Sequence, residues 1–377
     1  VIYFDNAATT KVLPAALQKY EEVTLSSFGN ASSNHAFGLQ ADRILEESRQ
    51  MVLATLGLTS THSLIFTSGA TESNNLALKG VAFHYANRGK KIITSAIEHA
   101  SVLKPLIDLR DHFGYDLVIL PVNADGIVTP EELAKAMDDK TILVSLMAVN
   151  NEIGSLFPVH ELAKVVHSYR KAFFHVDATQ AICKNPIPYE DCDLVSFSGH
   201  KFGALKGTGG LLYKKNIMLQ PQNEGGEQED GLRAGTSNVA GAAALAVALV
   251  DGMKNMKAHY EAVKKLSDAL KDYFVSKDGI LMNTPVNASP YVINISLKKK
   301  KASVVVEALS NKGIYVSSVS ACSSKVAPFS YVVDALTGDR ARATNSIRLS
   351  FSYLNTMEEV KEFESSFDFV LKEVIDQ

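Results

Sequence analysis

Five short segments of the 377-residue sequence place reactive side chains where chemistry could occur. Lys201 closes Ser196-Phe197-Ser198-Gly199-His200-Lys201, and the small residues and glycines between Phe202 and Gly210 leave room around its amine. If the site lowers its pKa, such an amine can form a Schiff base; an ordinary surface lysine is the alternative. Asp177 ends the apolar run Phe173-Phe174-His175-Val176, with Gln180 three residues on. A carboxylate against a buried strand needs a partner, either a cationic ring nitrogen or a structural Arg or Lys, because burying it unpaired is costly. After Thr67 comes Ser68-Gly69-Ala70-Thr71-Glu72-Ser73-Asn74-Asn75, the start of a helix whose N–H groups and hydroxyls either bind a phosphate or simply cap the helix. His99 follows another apolar run, either as a site group or as an ordinary core or surface histidine. Cys322 lies in the small, polar stretch Ser317–Ser324, which reads as a mobile loop. Its thiol is more available there than those of Cys183 and Cys192, which sit among apolar neighbours.

The elements that must position these groups alternate in type. Strands are expected at Ser63–Thr67, Lys91–Ser95, Asp116–Val122, Thr141–Met147, Ala172–Val176, Asp193–Ser198 and Gly210–Tyr213, nearly all apolar as for strands covered on both faces. Helical patterns lie between them; Thr129-Pro130-Glu131-Glu132 reads as an N-cap, a first-turn proline and a capping-box glutamate. This alternation predicts an α/β fold with a mostly parallel central sheet flanked by helices, in which ligands bind at the carboxyl ends of the strands. Beyond about residue 250 the texture changes to a charged helix over 254–275, strands at Val292–Leu297 and Ile347–Phe351, and a capped amphipathic C-terminal helix. A large domain over 13–252 is therefore expected, with a smaller α+β domain made of 1–12 and 253–377.

Composition limits the function classes. With 46% hydrophobic and 21% charged residues the chain is globular, and a net charge of −3 gives no basic field for nucleic acid. Three cysteines cannot build a disulfide framework and fit a reducing compartment, so a cytoplasmic location is expected. The most apolar run, Val239–Val250, is too short to span a bilayer and reads as a buried helix; no membrane association is expected. The Lys298–Lys301 run reads as a solvated turn.

Taken in order, the motifs resemble the cysteine desulfurases of the NifS/IscS type, class V members of the fold type I pyridoxal-phosphate enzymes. The similarity runs over nearly the whole chain, from Tyr3-Phe4-Asp5-Asn6-Ala7-Ala8-Thr9-Thr10 through Gly29-Asn30, the GATESNN segment at Gly69, VNNEIG at Val149 and HVDATQ at His175. SFSGHK at Ser196, GGEQEDGLRAGT at Gly225, the SAC segment at Ser320 and Arg348 in Ser346–Ser350 complete it. Departures are Val319 in place of a usual glycine, Ala31 in place of proline, Ala234 in place of serine, and the segment Ser323–Ser330.

The resemblance implies a role for each matching residue. Lys201 would carry pyridoxal 5'-phosphate as a Schiff base, Asp177 would pair with the ring nitrogen, and Gln180 would bond the ring oxygen. Asn151 would orient cofactor and substrate, and Ala70, Thr71, Ser198 and His200 would hold the phosphate. Thr236 would reach the phosphate of a neighbouring subunit, implying a homodimer with sites at the interface. His99 would stack on the ring and act as acid and base, while Arg348, with Asn30 and Asn151, would take the substrate carboxylate. Cys322 would accept sulfur from L-cysteine as a persulfide, leaving alanine, and pass it to an acceptor protein. Selenocysteine or cystine lyase chemistry, which could bypass Cys322, and a non-catalytic sulfur-trafficking role are the alternatives.

Overall fold

A computed structural model describes residues 1–318 and 329–376. Cys322 and the departures Val319 and Ser323–Pro328 lie outside the described residues. The buried apolar runs form a seven-stranded sheet. Its strands are β2 (His62–Thr67), β3 (Lys91–Ser95), β4 (Asp116–Leu120), β5 (Thr141–Met147), β6 (Phe173–Asp177), β7 (Leu194–Ser198) and β8 (Gly209–Lys214), after a short β1 (Ile2–Tyr3) that belongs elsewhere. Their order is β2-β8-β7-β6-β5-β3-β4. The β7–β6–β5–β3–β4 pairs are parallel, and β8 runs antiparallel to both its neighbours. β5 is buried at every residue, whereas the edge strand β4 leaves Asp116 and Ile119 exposed.

Helices cover both faces. α1 (Pro14–Ser26) and α2 (Ala36–Thr55) precede the sheet, α3 (Ala70–His84) follows β2 and α4 (Ala100–Phe113) follows β3. α5 (Pro130–Ala136) and α6 (Val159–His167) come before β6, and α7 spans Val239–Val275. One apolar cluster, including Val144, Leu146, Phe174, Val176 and Leu249, fills one side of the sheet; another, including Leu78, Val81, Ile92, Leu106 and Leu211, fills the other. Thr129 caps α5 by accepting from the Glu132 amide, as its sequence predicts.

A further cluster lies apart from these. It gathers Ile2 and Phe4, Val263, Leu266 and Phe274 from the far half of α7, Ile293 and Ile295, Leu349, and Phe363 and Phe367 of the C-terminal helix Met357–Glu373. Its sheet pairs β9 (Ile280–Met282), β10 (Val292–Leu297), β12 (Ser317–Ser318) and β13 (Ser346–Ser350) in the order β12-β13-β10-β9. The N-terminal β1 pairs in parallel with β11 (Ile314–Tyr315). The C-terminal helix carries the expected capping box, Thr356 with Glu359.

One expectation is corrected here. The buried segment Val239–Val250 and the charged segment over 254–275 are one continuous helix of 37 residues. Its composition switches because it leaves one core, where Ala244, Leu245 and Leu249 are buried, and enters the other. At this length it could cross a bilayer; more than half of its most apolar window is buried inside the protein, which identifies it as a core helix.

Candidate active site

At the carboxyl ends of β2, β5, β6 and β7 the chain encloses a cavity of about 710 Å³. Ala70, Thr71, His99, Asn151, Asp177, Gln180, Ser198, His200, Lys201 and Arg348 all line it. Asn30 and Thr236 do not line this cavity; Thr236 is exposed on the chain's own surface. The topology explains the convergence, because all of these except Arg348 lie at or just after the end of a strand in one sheet.

The start of α3 forms one wall. Gly69 has φ +151°, a backbone conformation that favours glycine, and no side chain caps the helix. A Cβ on Gly209 would lie 2.5 Å from Gly69 Cα, so glycine at both positions lets β8 press this turn into place. Ala70 and Thr71 thus present the helix N-terminus to the cavity, a site suited to an anion. Glu72 in that first turn is neutralised by Arg233, whose Nε lies 2.7 Å from Oε1; this partner, with the amide of Ser68, outweighs burial and holds the Glu72 carboxyl below its usual range. His200 and Lys206 add basic groups to the lining. Burial and the neighbouring Lys201 push the His200 imidazole down to about 4, so it is neutral and works as a hydrogen-bonding group, with Nδ1 3.2 Å from Thr9 Oγ1.

Asp177, at the end of β6, accepts from the Thr179 amide (3.0 Å) and from Asn74 Nδ2 (2.9 Å). The same Asn74 nitrogen donates to Ser101 Oγ at 2.9 Å. Ser101 in turn faces His99 Nδ1, its hydroxyl at 2.8 Å and its amide at 3.1 Å. Because Nδ1 accepts from that amide, the neutral imidazole carries its proton on Nε2. Burial holds the His99 pKa below its ordinary value despite the nearby Asp177. Asn74 is fully buried and couples the carboxylate to the histidine.

Lys201 Nζ donates to the carbonyls of Ala7 and Ala8 at 2.6 and 2.8 Å, which draws the N-terminal segment over the site. Gln180 Nε2 also reaches the Ala7 carbonyl, at 2.9 Å. Arg348 on β13 enters from the second core: Nη2 pairs with Asp5 at 2.8 Å and Nη1 donates to the Asn151 carbonyl at 3.1 Å. Its buried Nε has no partner among the described residues, and neither does the buried Thr179 Oγ1 on the cavity wall. Two further buried carboxyls lie here, Glu152 on the cavity wall and Glu98 behind it. Burial raises Glu98 to about 8, and it raises Glu152 as well, although Ser330 donates to it.

Asp5 and Asn74 were not singled out as site residues by the sequence. Asn74 had one usable signal, a polar residue one helical turn after Ala70. Asp5 had none, since its partner Arg348 is remote in the chain. Cys183 and Cys192 are buried, and burial raises both thiols well above their ordinary pKa, in line with the expected inertness.

A helix-flanked sheet with a lysine, a strand-end aspartate and a helix N-terminus around one cavity defines a fold type I enzyme of the α/β class. The class-V aminotransferase family model matches residues 2–363, and the chain belongs to this family. It is 41% identical over 377 residues to a NifS/IcsS protein homolog of Lactobacillus delbrueckii subsp. bulgaricus, spanning 98% of this chain and 96% of the relative. It is also 37% identical to the cysteine desulfurase IscS of Dictyoglomus turgidum, spanning 95% of this chain and 91% of that protein. A solved NifS-like protein superposes with a TM-score of 0.92 at 36% identity, covering 98% of this chain and 99% of the other.

The cavity fits the cofactor this family uses. A phosphate suits the N-terminus of α3, a protonated ring nitrogen suits Asp177, and an aldehyde suits the Lys201 amine. The unpartnered Thr179 hydroxyl and Arg348 Nε supply hydrogen-bonding capacity for a polar ligand.

Proposed function

We propose that this protein is a pyridoxal-phosphate-dependent cysteine desulfurase that converts L-cysteine to L-alanine and carries the sulfur as a persulfide on Cys322. The observation that supports this most is the meeting of Lys201, Asp177, the α3 N-terminus and Arg348 in one cavity. Bound pyridoxal phosphate supplies an electron sink that makes the substrate Cα–H bond acidic. Ala70, Thr71, Ser198 and His200 hold its phosphate, and Asp177 keeps a proton on the ring nitrogen. Arg348 takes the substrate carboxylate in its planar fork, held in place by Asp5 and the Asn151 carbonyl. Lys201 Nζ moves the Cα proton, and His99 exchanges a proton at Nε2.

Cys322, as thiolate, attacks the substrate sulfur. A new S–S bond forms, the substrate Cβ–S bond breaks with its electron pair going to carbon, and protonation of that carbon completes alanine. The sulfur is oxidised and the carbon reduced, so no external oxidant is needed. The persulfide then passes to an acceptor protein. Thr236, exposed and not lining the cavity of its own chain, is suited to reach a partner subunit's phosphate in a homodimer. A cytoplasmic location agrees with the two buried, unoxidised thiols.

The test is alanine and sulfide release from L-cysteine with a thiol reductant, in wild type, Lys201→Ala and Cys322→Ala. Both variants should lose both products, and only Lys201→Ala should lose the visible cofactor band. Full activity in Cys322→Ala would refute the persulfide role and assign lyase chemistry instead.

A further inference from the structure

Lys184 is a buried titratable group that the reaction above leaves without a role. It is 7% exposed, sits one turn beyond Gln180, and donates from Nζ to Gln180 Oε1 at 3.2 Å. The Tyr291 ring lies 5.8 Å from the ammonium, and among the described residues no carboxylate forms an ion pair with it. Burying an ammonium against a neutral amide is expensive, so a structural role alone would be better served by an apolar side chain. The backbone is shaped to put it there. Cys183, immediately before it, adopts a left-handed φ of +62°, and Gly252 of α7 leaves the space: a Cβ on that glycine would lie 2.8 Å from Cys183 Cβ. Burial and the nearby Lys201 lower the Lys184 pKa to about 7, and both of its protonation states keep N–H groups to donate.

The effect falls on the Gln180 amide. Its oxygen accepts from Lys184, and one amide proton goes to the Ala7 carbonyl. Two protons reside on that nitrogen, so the group Gln180 retains for the cavity it lines is an N–H. We propose that Lys184 is a positioning residue that fixes Gln180 as a hydrogen-bond donor, never an acceptor, toward the ring oxygen of bound pyridoxal phosphate. This rests on the reading given under the proposed function. Without Lys184 the amide can turn over and set oxygen against oxygen.

The experiment titrates apo-protein with pyridoxal 5'-phosphate and reads the dissociation constant by equilibrium dialysis, the visible absorbance maximum, and the melting temperature of the apo form. Lys184→Met should weaken binding about tenfold, the loss of roughly one hydrogen bond to a charged acceptor, and should shift the absorbance maximum. Its apo melting temperature should not fall, because an unpaired buried charge is replaced by an apolar chain of similar length. Gln180→Leu should weaken binding to a similar degree, and the double variant should bind no more weakly than Gln180→Leu alone. Gln180→Glu, in which Lys184 gains a carboxylate partner while the cavity loses its donor, should also bind more weakly without loss of stability. Binding by Lys184→Met that matches wild type, or losses that add in the double variant, would overturn the inference. Wild-type protein that takes up no pyridoxal phosphate would instead overturn the reading of the site itself.

Discussion

Replacing Asn74 by leucine should separate two groups that one side chain now holds together. Asn74 is completely buried, and its Nδ2 makes two hydrogen bonds of 2.9 Å, to Asp177 and to Ser101. The bond to the carboxylate contributes about 1.5–3 kcal/mol, and the neutral bond to Ser101 about 1 kcal/mol. Leucine has the same branched arrangement of side-chain heavy atoms, so no cavity is left behind. It also removes the Asn74 Oδ1, which is buried without a partner, and that relief offsets about 1 kcal/mol. The net destabilisation is therefore about 1.5–3 kcal/mol. Urea unfolding of apo-protein, with a slope shared between wild type and variant, measures it. The functional arm is distinct, because the Ser101 hydroxyl that faces His99 Nδ1 loses its anchor. Turnover should fall further than cofactor occupancy does. A stability change below about 0.5 kcal/mol, the scale of ordinary surface substitutions, would refute the idea that Asn74 couples Asp177 to His99.

Arg348→Lys keeps the charge but loses the fork and leaves the Asp5 and Asn151 contacts competing for one ammonium. KM for L-cysteine should rise by about 10–100-fold with a smaller change in kcat, as steady-state kinetics would show. Glu98→Gln should change the pH dependence of stability. Burial raises the Glu98 carboxyl from its ordinary 4.5 to about 8, so the folded state keeps a proton that the unfolded state releases; its contribution is complete below about 4.5 and is lost as pH rises through about 8. The variant's unfolding free energy should therefore decline less than wild type's between these pH values, and an unchanged slope would count against a neutral Glu98. Thr356→Ala breaks the capping box with Glu359 and should cost about 1 kcal/mol in urea unfolding, with turnover unaffected.

Much of this architecture can be read from the sequence because parallel strands buried on both faces must be apolar throughout, as Thr141–Met147 and Phe173–Asp177 are. Strand direction leaves no such mark: Gly209–Lys214 has the same apolar texture as its neighbours yet runs antiparallel. The site is legible wherever a reactive residue ends a strand, as with Asp177 before its loop and Lys201 just after β7. It is illegible where remote segments meet side chain to side chain. Asn74 reaches Asp177 across 103 positions and Arg348 reaches Asp5 across 343, and no local pattern encodes either pairing. Lys184 is hidden for a different reason, since a lysine in a sequence is expected to be solvated. The single helix over 239–275 reads as two because the periodicity of a helix reports its surroundings, and these change midway.

That helix has a mechanical meaning. At 1.5 Å per residue it is a rod of about 55 Å whose near half is set in the core around the sheet and whose far half is set in the other. A cut at residues 252 and 253 would leave each core its own half of the helix but would remove the rigid tie between them. A chain ending there keeps Leu245 and Leu249 in the first core, and one beginning there keeps Val263, Leu266 and Phe274 for the second, but neither retains the continuous rod. The two cores are thus spliced rather than linked, and Arg348, carried by one, keeps a fixed bearing on Lys201, carried by the other.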